Sequence, residues 1–244
     1  MIEVRALTTH EQFGDAVDLQ REVWGFADIE LLPVRLFVVA TKIGGQAFGA
    51  YDGASMVGFC LAIPGLKAGG RSYLHSHMLG VREGYRNRRV GRMLKLAQRD
   101  DARERGIDLI EWTFDPLELK NAFLNIERLG AVVRRYVPNQ YGITSSSLHG
   151  GLPTDRCVAE WWIESPRAKT ISSGGEFARP PVEARVEVPA EIAKLRIDEP
   201  ARAREIQRRV SDAFMSHFAR GLAVTGFERA DHAGAYLFGK WEFK

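Results

Sequence analysis

One stretch of the sequence, residues 73–105, constrains the fold of this chain more than any other. The apolar, β-prone run over residues 73–81 predicts a buried strand, and a helix is predicted over residues 90–105. A tight turn at residues 83–89 joins the two, and another strand is predicted over residues 107–114. A strand, a helix and a second strand in this order predict two parallel strands joined by a right-handed crossover.

The turn before the predicted helix is strongly basic. Arg86, Arg88 and Arg89 immediately precede the helix, and Arg92 lies one turn inside it. The N-terminus of a helix presents N–H groups without intrahelical acceptors and the positive end of the helix dipole. Basic side chains at such a terminus favour the binding of a phosphorylated ligand. A basic helix start on a solvated surface is the alternative that these residues leave open.

The segments before this stretch predict a strand, two helices and a β-hairpin. Thr8 and Glu11 have the spacing of a capping box and predict a helix start, and Gly25 predicts its end. Asp52 and Gly53 predict the hairpin turn. The predicted elements are a strand at 2–7, helices ending at Gly25 and spanning 33–42, strands at 46–51 and 56–63, and a loop at 64–70.

The segments after it are predicted to form further strands and helices. Asp198 predicts the N-cap of a long helix, with Pro200 in its first turn and Gly221 as its C-cap. The predicted elements are helices at 119–128 and 198–220, and strands at 131–137, 154–163, 184–188, 222–229 and 235–241.

These elements predict an α/β (α+β) fold with a mixed, mostly antiparallel sheet and helices on both faces. We expect a main domain at residues 1–165, a linker or long loop at 166–183, and a small α/β C-terminal subdomain at 184–244. The last piece is small for an independent core, so we expect it to dock on the main domain or on a partner subunit.

Composition narrows the classes of function. A formal net charge of +3 is too small to indicate a nucleic-acid partner. No apolar run approaches the roughly 18 residues of a membrane span, and the first residues lack the layout of a signal peptide. Cys60 and Cys157 lie in apolar runs, which predicts buried thiols in a reducing cytosol. No spacing of His, Cys, Asp and Glu is typical of a metal site, so we expect a cytoplasmic protein without a metal.

Residues 81–94, which read VREGYRNRRVGRML, resemble the acyl-CoA-binding motif of the GNAT superfamily of N-acyltransferases. That motif has a hydrophobic strand end, a Tyr-Arg pair, a glycine-containing turn, and a helix that opens with a branched apolar residue followed by Gly. Residues 118–131 are similar to a later helix of the family, which closes on Leu-Gly-Phe. The resemblance covers residues 1–165 and implies a branch of the family with an added C-terminal segment.

The resemblance also implies a co-substrate, acetyl-CoA or another acyl-CoA. The N–H groups of residues 86–91 would hold its pyrophosphate, and the backbone of residues 78–81 would pair with its pantetheine arm. Asn121 and Asn125, four apart on the predicted helix, would contact the same arm, or would make a cap or interhelix hydrogen bond. The implied cofactor-binding residues are Met78, Leu79, Gly80, Val81, Arg86, Asn87, Arg88, Arg89, Val90, Gly91, Arg92, Asn121 and Asn125.

Two positions depart from the family's pattern. Arg89 stands where the family usually has Gly, and Ile126 stands where a Tyr commonly serves as general acid. The role of the acid is therefore vacant or filled by another residue. A non-catalytic acyl-CoA-binding module, or an assembly protein, is the alternative to an enzyme.

Acyl transfer from a thioester to an amine needs a base for the ammonium group and a proton for the leaving thiolate. His75 and His77 alternate along the predicted strand and so share a face; they are candidate bases or hydrogen-bonded core histidines. Glu111 is a candidate base through a water, or a buried ion-pair partner. Asp115, before Pro116, is a candidate site residue, or a turn or helix cap.

The resemblance therefore implies an N-acetyltransferase in which a primary amine of a small molecule or peptide attacks the thioester directly, without a covalent enzyme intermediate. The identity of the acceptor and the length of the acyl chain have no signal in the sequence. A homodimer is left open, because the C-terminal strands could complete a neighbour's sheet.

Overall fold

The computed structural model describes residues 1–142 and 151–242 of the chain. They divide into two compact units: the first is Met1–Glu111, and the second contains residues 112–142 and 151–242. The boundary falls inside a single strand, Leu109–Phe114. No helix of the described residues has the length and apolarity that a membrane crossing needs.

The first unit contains a mostly antiparallel sheet. Its strands are β1 (Ile2–Ala6), β2 (Gln46–Asp52), β3 (Ser55–Leu66), β4 (Ser72–Val81) and β5 (Leu109–Phe114), of which β5 continues into the second unit. Its helices are α1 (His10–Trp24), α2 (Val34–Lys42) and α3 (Val90–Glu104), with 3-10 turns at Asp28–Glu30 and Glu83–Tyr85. The strands lie in sequence order, and neighbours are antiparallel except β4 and β5. The parallel pairing of β4 and β5 confirms the prediction.

Apolar side chains cover both faces of this sheet. On one face, Phe13 of α1 and Phe37 of α2 pack with Phe59 of β3; the Phe37 ring centroid lies 5.8 Å from that of Phe13 and 6.1 Å from that of Phe59. On the other face, Val90 and Leu94 of α3 pack against β3. Helices on both faces are what the sequence predicted for this part of the chain.

A β-bulge interrupts β4 where the sequence predicts a regular strand. The register with β3 shifts at this point, and His77 lies between Ser76 and Met78, which both have partners on β3. A bulge moves the alternation of side chains by one residue. Ser76 accordingly contacts α3, whereas Met78 packs in the core formed with α1 and α2. His75, His77 and Met78 therefore lie on one face of the strand.

The start of α1 lies one residue later than predicted. Thr9 and Gln12, not Thr8 and Glu11, form the capping box. The Gln12 N–H donates to the Thr9 hydroxyl at 3.2 Å, and the Thr9 N–H donates to the Gln12 side-chain oxygen at 3.1 Å. Gly25 ends the helix in the left-handed conformation, as predicted. Strand β3 extends beyond its predicted end, into the predicted loop.

The second unit contains the rest of the strands and helices. The strands are β6 (Val132–Val137), β7 (Arg156–Trp162), β8 (Ala184–Pro189), β9 (Leu222–Arg229) and β10 (Ala233–Lys240), in the spatial order β7-β6-β9-β10-β8. The helices are α4 (Leu119–Phe123), continued by a π-helical turn at Leu124–Arg128, α5 (Pro166–Ser172), α6 (Ile192–Asp198) and α7 (Pro200–Ala219). All described strand pairs in this order are antiparallel.

Two local predictions for this unit were wrong. Helix α5 lies inside the predicted linker or long loop, where the Ser165 hydroxyl accepts from the Ala168 N–H at 3.2 Å and caps the helix. Asp198 is not the N-cap of the long helix; it ends α6, and Glu199 occupies the cap position. The start of α7 follows from Pro200, because proline has the helical φ and needs no acceptor for an N–H.

Candidate active site

The turn before α3 has an unusual backbone. Arg89, the N-cap, has φ 65° and ψ 7°, and Asn87 has φ 63°, so both residues are left-handed. A left-handed residue next to right-handed ones turns successive N–H groups to one side and forms an anion-binding concavity. The first helical hydrogen bond runs from the Met93 N–H to the Arg89 carbonyl at 3.0 Å, and no side chain caps the helix. The preceding amides of α3 thus lack an intrahelical acceptor.

One of the amides predicted to bind the pyrophosphate already has a hydrogen-bond acceptor within the protein. The Arg86 N–H donates to the Glu83 carbonyl at 3.1 Å, which closes the 3-10 turn. The prediction that this amide also holds a pyrophosphate is therefore corrected: the available amides begin at Asn87. Arg86 retains its side chain for this purpose, although its Nε donates to the Val81 carbonyl at 3.3 Å.

The basic side chains of the turn are exposed. Arg86, Asn87, Arg88 and Arg89 all have exposed side chains. The Arg88 guanidinium lies 5.0 Å from the ring centroid of Tyr85, whose hydroxyl donates to Asp52 at 3.0 Å. Positively charged side chains therefore lie in the same exposed turn as the first amides of α3.

The predicted pantetheine-binding residues of β4 pack against the cores on its two faces, and the side chains of Met78, Leu79 and Val81 are partly buried. Met78 packs with the α1 and α2 core, and Leu79 and Val81 pack with the α3 core. A Cβ on Gly80 would lie 2.9 Å from the ring of Trp24, so the close approach of α1 requires glycine here. These side chains are occupied by packing, and any pairing with a ligand would use their backbone.

The ladder between β4 and β5 is short. Its pairs are Leu74 with Ile110 and His75 with Glu111. The part of β4 after His75 is where the resemblance places the pantetheine arm.

His75 and His77 are neighbours on one face of β4, as the sequence predicted. Their ring centroids are 5.8 Å apart. Burial lowers the pKa of His75 to about 4, with further contributions from the nearby His77, Lys95 and Lys67. Burial also lowers the pKa of His77. Both imidazoles are therefore neutral at pH 7 and have a nitrogen that can accept a proton.

Glu111 is buried, with 4% of its surface exposed, and forms an ion pair with Lys67. The Lys67 Nζ lies 2.7 Å from one carboxylate oxygen and 2.6 Å from the other. The same Nζ lies 4.5 Å from the ring centroid of Tyr73. This geometry agrees with the interpretation of Glu111 as a buried ion-pair partner.

Asp115 belongs to the second unit and has two structural contacts there. One carboxylate oxygen accepts from the Leu117 N–H at 2.8 Å, as in a turn or cap. The other accepts from the buried Arg196 guanidinium at 2.6 Å. Arg196 also donates to Glu118 at 2.9 Å. These contacts agree with the turn alternative for Asp115.

Asn121 and Asn125 differ in burial. Asn121 is exposed, whereas Asn125 is buried within the π-helical turn that follows α4. The π turn changes the angle between successive residues, so their spacing of four no longer places them on one face. Ile126, at the family's tyrosine position, is fully buried with 0% exposure.

Sequence reasoning missed a buried polar chain between α3 and β4. The Lys95 Nζ donates to the Ser76 hydroxyl at 2.8 Å, and that hydroxyl donates to the Gln98 side chain at 2.8 Å. Burial lowers the pKa of Lys95 to about 7. Helical spacing could have found it, because Lys95 shares the inward face of α3 with Gln98 and Ala102.

The family model described as "Acetyltransferase (GNAT) family" matches residues 15–124, which include β4, the basic turn and α3. This segment of the chain therefore matches the GNAT superfamily, as its sequence resemblance implied. The match supports an N-acetyltransferase enzyme. Among the described residues, no group of three or more His, Cys, Asp or Glu side chains could hold a metal ion.

Solved GNAT structures share the fold at low sequence identity. The ribosomal-protein-S18-alanine N-acetyltransferase from Escherichia coli is 16% identical, with a TM-score of 0.52 over 68% of this chain and 96% of that chain. Arabidopsis thaliana NAA60 in complex with acetyl-CoA is 14% identical, with a TM-score of 0.56 over 68% of this chain and 100% of that chain. Arabidopsis thaliana Naa50 in complex with a bisubstrate analogue is 15% identical, with a TM-score of 0.51 over 65% and 97%. The comparison with curated proteins finds no match.

Proposed function

We propose that this protein transfers the acetyl group of acetyl-CoA to a primary amine of a small molecule or peptide. The observation that carries the proposal is the left-handed turn at Arg89, which exposes the first amides of α3 among basic side chains. Solved relatives of the same fold contain acetyl-CoA or a bisubstrate analogue, which favours acetyl-CoA over longer acyl-CoAs. We propose residues 1–165 as the functional domain, with the remainder as an added subdomain.

In this proposal the turn binds the pyrophosphate of the co-substrate. The amides from Asn87 to Gly91 would donate to phosphate oxygens, and the helix dipole would add favourable charge. The guanidinium groups of Arg86, Arg88, Arg89 and Arg92 would contribute charge-assisted contacts. The backbone of β4 from Met78 to Val81 would pair with the pantetheine arm.

The proposed reaction is a direct transfer. An amine arrives as an ammonium, loses a proton to a base, and its nitrogen attacks the thioester carbon. The new C–N bond forms, the C–S bond breaks, and the leaving thiolate takes up a proton, which balances the proton that the attacking nitrogen loses on becoming an amide. Cys60 and Cys157 are free but buried, and burial raises the pKa of the Cys60 thiol to about 12, so neither favours a covalent intermediate. Their reduced state also supports a cytoplasmic location.

We assign the role of general base to His77, with His75 as its neighbour. His77 lies at the bulge of β4, and burial is the cause that lowers its pKa. His75 has a pKa of about 4 because cations as well as burial oppose its protonation, which makes it the weaker base. Glu111 and Asp115 already pair with Lys67 and Arg196, so we assign them no proton transfer.

Binding of the co-substrate is tested by thermal unfolding and calorimetry with acetyl-CoA and CoA. A ligand at 100 times its dissociation constant stabilises the native state by about 2.7 kcal/mol. We expect Arg86→Ala and Arg88→Ala to weaken binding, most strongly at low salt. Arg103→Ala, near the other end of α3, is the matched control and should leave binding unchanged. If all three variants bind acetyl-CoA with the affinity of the unchanged chain, Arg86 and Arg88 do not contribute to binding.

Turnover is tested by thiol release from acetyl-CoA with a panel of amines. His77→Gln should lower kcat by a factor of about 100, and should remove the acid-side inflection of the pH–rate profile. His75→Gln should leave that inflection in place and keep most of the activity, because His75 is already neutral where His77 titrates. An unchanged profile in His77→Gln would place the base elsewhere. CoA binding without thiol release for any amine would favour the non-catalytic module instead.

A further inference from the structure

We propose that Glu111 and Tyr73 form a subsite for an alkylammonium group, and that Lys67 is its internal occupant, which a cationic acceptor displaces. The inference rests on the proposed function and deepens it, because it names the class of acceptor: amines that carry a second, non-reacting ammonium group.

The contacts of Lys67 are those of a bound ammonium ligand. Its Nζ lies 2.6 Å and 2.7 Å from the two oxygens of Glu111, and 4.5 Å from the ring centroid of Tyr73. A carboxylate supplies charge-assisted hydrogen bonds, and the face of an aromatic ring attracts a cation through its quadrupole. Together they recognise an alkylammonium by charge and shape.

The side chains of Glu111 and Lys67 differ in their burial and in the structure that surrounds them. Glu111 is on β5, with 5% of its side chain exposed, whereas 29% of the Lys67 side chain is exposed. Lys67 lies in the turn between β3 and β4, where its N–H donates to the Arg71 carbonyl at 2.9 Å and Gly69 and Gly70 have positive φ. The lysine side chain can therefore rotate into solvent while the carboxylate stays in the sheet.

A buried carboxylate without a cation is strongly unfavourable, because desolvation of the charge is no longer offset. Departure of Lys67 therefore requires that another cation takes its place on Glu111. An ammonium group on a flexible alkyl chain is the chemical equivalent of the lysine side chain and fits the same contacts.

The subsite lies beside the proposed base. Glu111 pairs with His75 in the ladder between β5 and β4, and His75 contacts His77 with ring centroids 5.8 Å apart. The charge of Lys67 is one of the causes that lower the pKa of His75, so an ammonium in this position acts on the histidine pair.

The ammonium held by Glu111 is not the group that reacts. A carboxylate stabilises the protonated amine, whereas attack on the thioester requires a neutral nitrogen. Glu111 would thus orient the acceptor through one ammonium group while a second amine reaches the thioester. Diamines and lysine-like acceptors meet this requirement, and monoamines do not.

The test uses the full chain and two probes of equal length, 1,5-diaminopentane and n-pentylamine. Calorimetry measures binding of each amine, and thiol release with acetyl-CoA measures KM and kcat. We expect Lys67→Met to bind 1,5-diaminopentane about tenfold more tightly than the unchanged chain, the ratio expected for a freed charge-assisted hydrogen bond. Binding of n-pentylamine should tighten as well, because its ammonium group fits the same contacts, but it should remain a poor acceptor in thiol release since it has no second amine. Both gains in binding should vanish in the double variant Lys67→Met with Glu111→Gln.

Two further variants control for indirect effects. Arg71 lies in the same turn as Lys67 and forms an exposed ion pair with Asp108. Arg71→Met removes this ion pair and should leave diamine binding unchanged. Lys67→Arg keeps the ion pair and should weaken diamine binding, because a guanidinium holds the carboxylate in a bidentate pair. This variant remains informative even if Lys67→Met fails to fold.

The outcomes separate the two proposals. If 1,5-diaminopentane binds the unchanged chain, Lys67→Met and Lys67→Arg with the same affinity, the subsite is overturned and the transferase proposal stays in place. Diamine binding with the expected pattern, but no thiol release with either amine, would support the subsite and count against the proposed reaction.

Discussion

At the scale of single residues, the backbone of Arg89 explains a departure from the family's motif. Its φ of 65° lies in the region that glycine adopts without strain. Any L-residue there has its Cβ close to the following carbonyl oxygen, which costs about 1 kcal/mol. Arginine is tolerated because the turn is closed by packing of Val90 in the core. The family's preference for glycine thus reflects conformation, and the arginine adds a positive charge in exchange.

We predict that Arg89→Gly stabilises the fold. Relief of the left-handed strain should raise the free energy of unfolding by up to about 0.5 kcal/mol, after the greater entropy of glycine in the unfolded chain is subtracted. Urea unfolding measures this change. Arg89→Ala is the matched control: it loses the same charge but keeps a Cβ, and should show no gain. Equal effects of the two substitutions would argue that charge, not strain, matters here.

We also predict a pH dependence of stability from His75. Its pKa is about 4 in the native state and 6.5 in the unfolded state. Between these values the unfolded chain binds a proton that the native state does not, so the free energy of unfolding falls as the pH falls from 6.5 to 4. The full loss is up to about 3 kcal/mol.

Urea unfolding at pH 5, 6 and 7 checks this dependence. His75→Gln should flatten the curve in that window, whereas His10→Gln, at an exposed position, should leave it unchanged. An equally steep curve in His75→Gln would show that other groups cause it.

At the scale of elements, β4 separates two chemistries on its two faces. One face carries His75 and His77, and the other carries Ser76, which contacts Lys95 and Gln98 of α3. The bulge at His77 allows this arrangement, because it places Met78 on the histidine face although the two residues are adjacent. A regular strand would have directed one of them to α3.

Lys95 gives a prediction for the packing of α3 on β4. Burial lowers its pKa from 10.5 to about 7. Above pH 7 the unfolded chain therefore binds more protons than the native state, and the free energy of unfolding rises with pH by up to about 1.4 kcal/mol per unit. Lys95→Met should remove this rise between pH 7 and 9 in urea unfolding. The exposed Lys42→Met is the control and should keep the rise; its persistence in Lys95→Met would contradict the assignment.

At the scale of the whole molecule, the two compact units do not follow the proposed functional division. The second unit joins residues on both sides of the proposed boundary at 165. Val133 of β6 pairs with Val224 of β9, Arg196 pairs with Asp115, and the Tyr236 hydroxyl donates to the Pro116 carbonyl at 2.6 Å. The C-terminal segment is therefore part of the packing of residues 112–142.

We predict that a chain shortened to residues 1–165 does not preserve the fold of residues 112–142. Loss of Arg196 would remove the guanidinium that pairs with Asp115, and loss of β9 would leave β6 without one neighbour. Hydrogen exchange should show lower protection in residues 132–137 than in the full chain, while residues 46–62 keep theirs. Equal protection in both chains would show that the first 165 residues are self-sufficient.

Local signals in the sequence determined much of the first unit. Apolar alternation, the Asp52-Gly53 turn and the left-handed Gly25 gave the strands, the hairpin and the end of α1. Helix α5 was missed because the sequence around it is rich in Ser, Gly and Pro, which is typical of a linker. Ser165 and Pro166 are also a favourable helix start, and the structure shows that they serve as one. The positions of β4 and α3 and the basic turn also follow from sequence, since each depends on neighbours in the chain.

The sequence by itself determined that β4, a basic turn and α3 follow one another, and that His75 and His77 share a strand face. Only the tertiary structure decided that His77 is a bulge residue, that Lys67 forms an ion pair with Glu111, and that Lys95 is buried against Ser76. The physical reason is the distance along the chain over which each interaction acts. Propensity and periodicity act between residues a few positions apart, whereas Lys67 and Glu111 meet only because β4 brings β3 and β5 into one sheet.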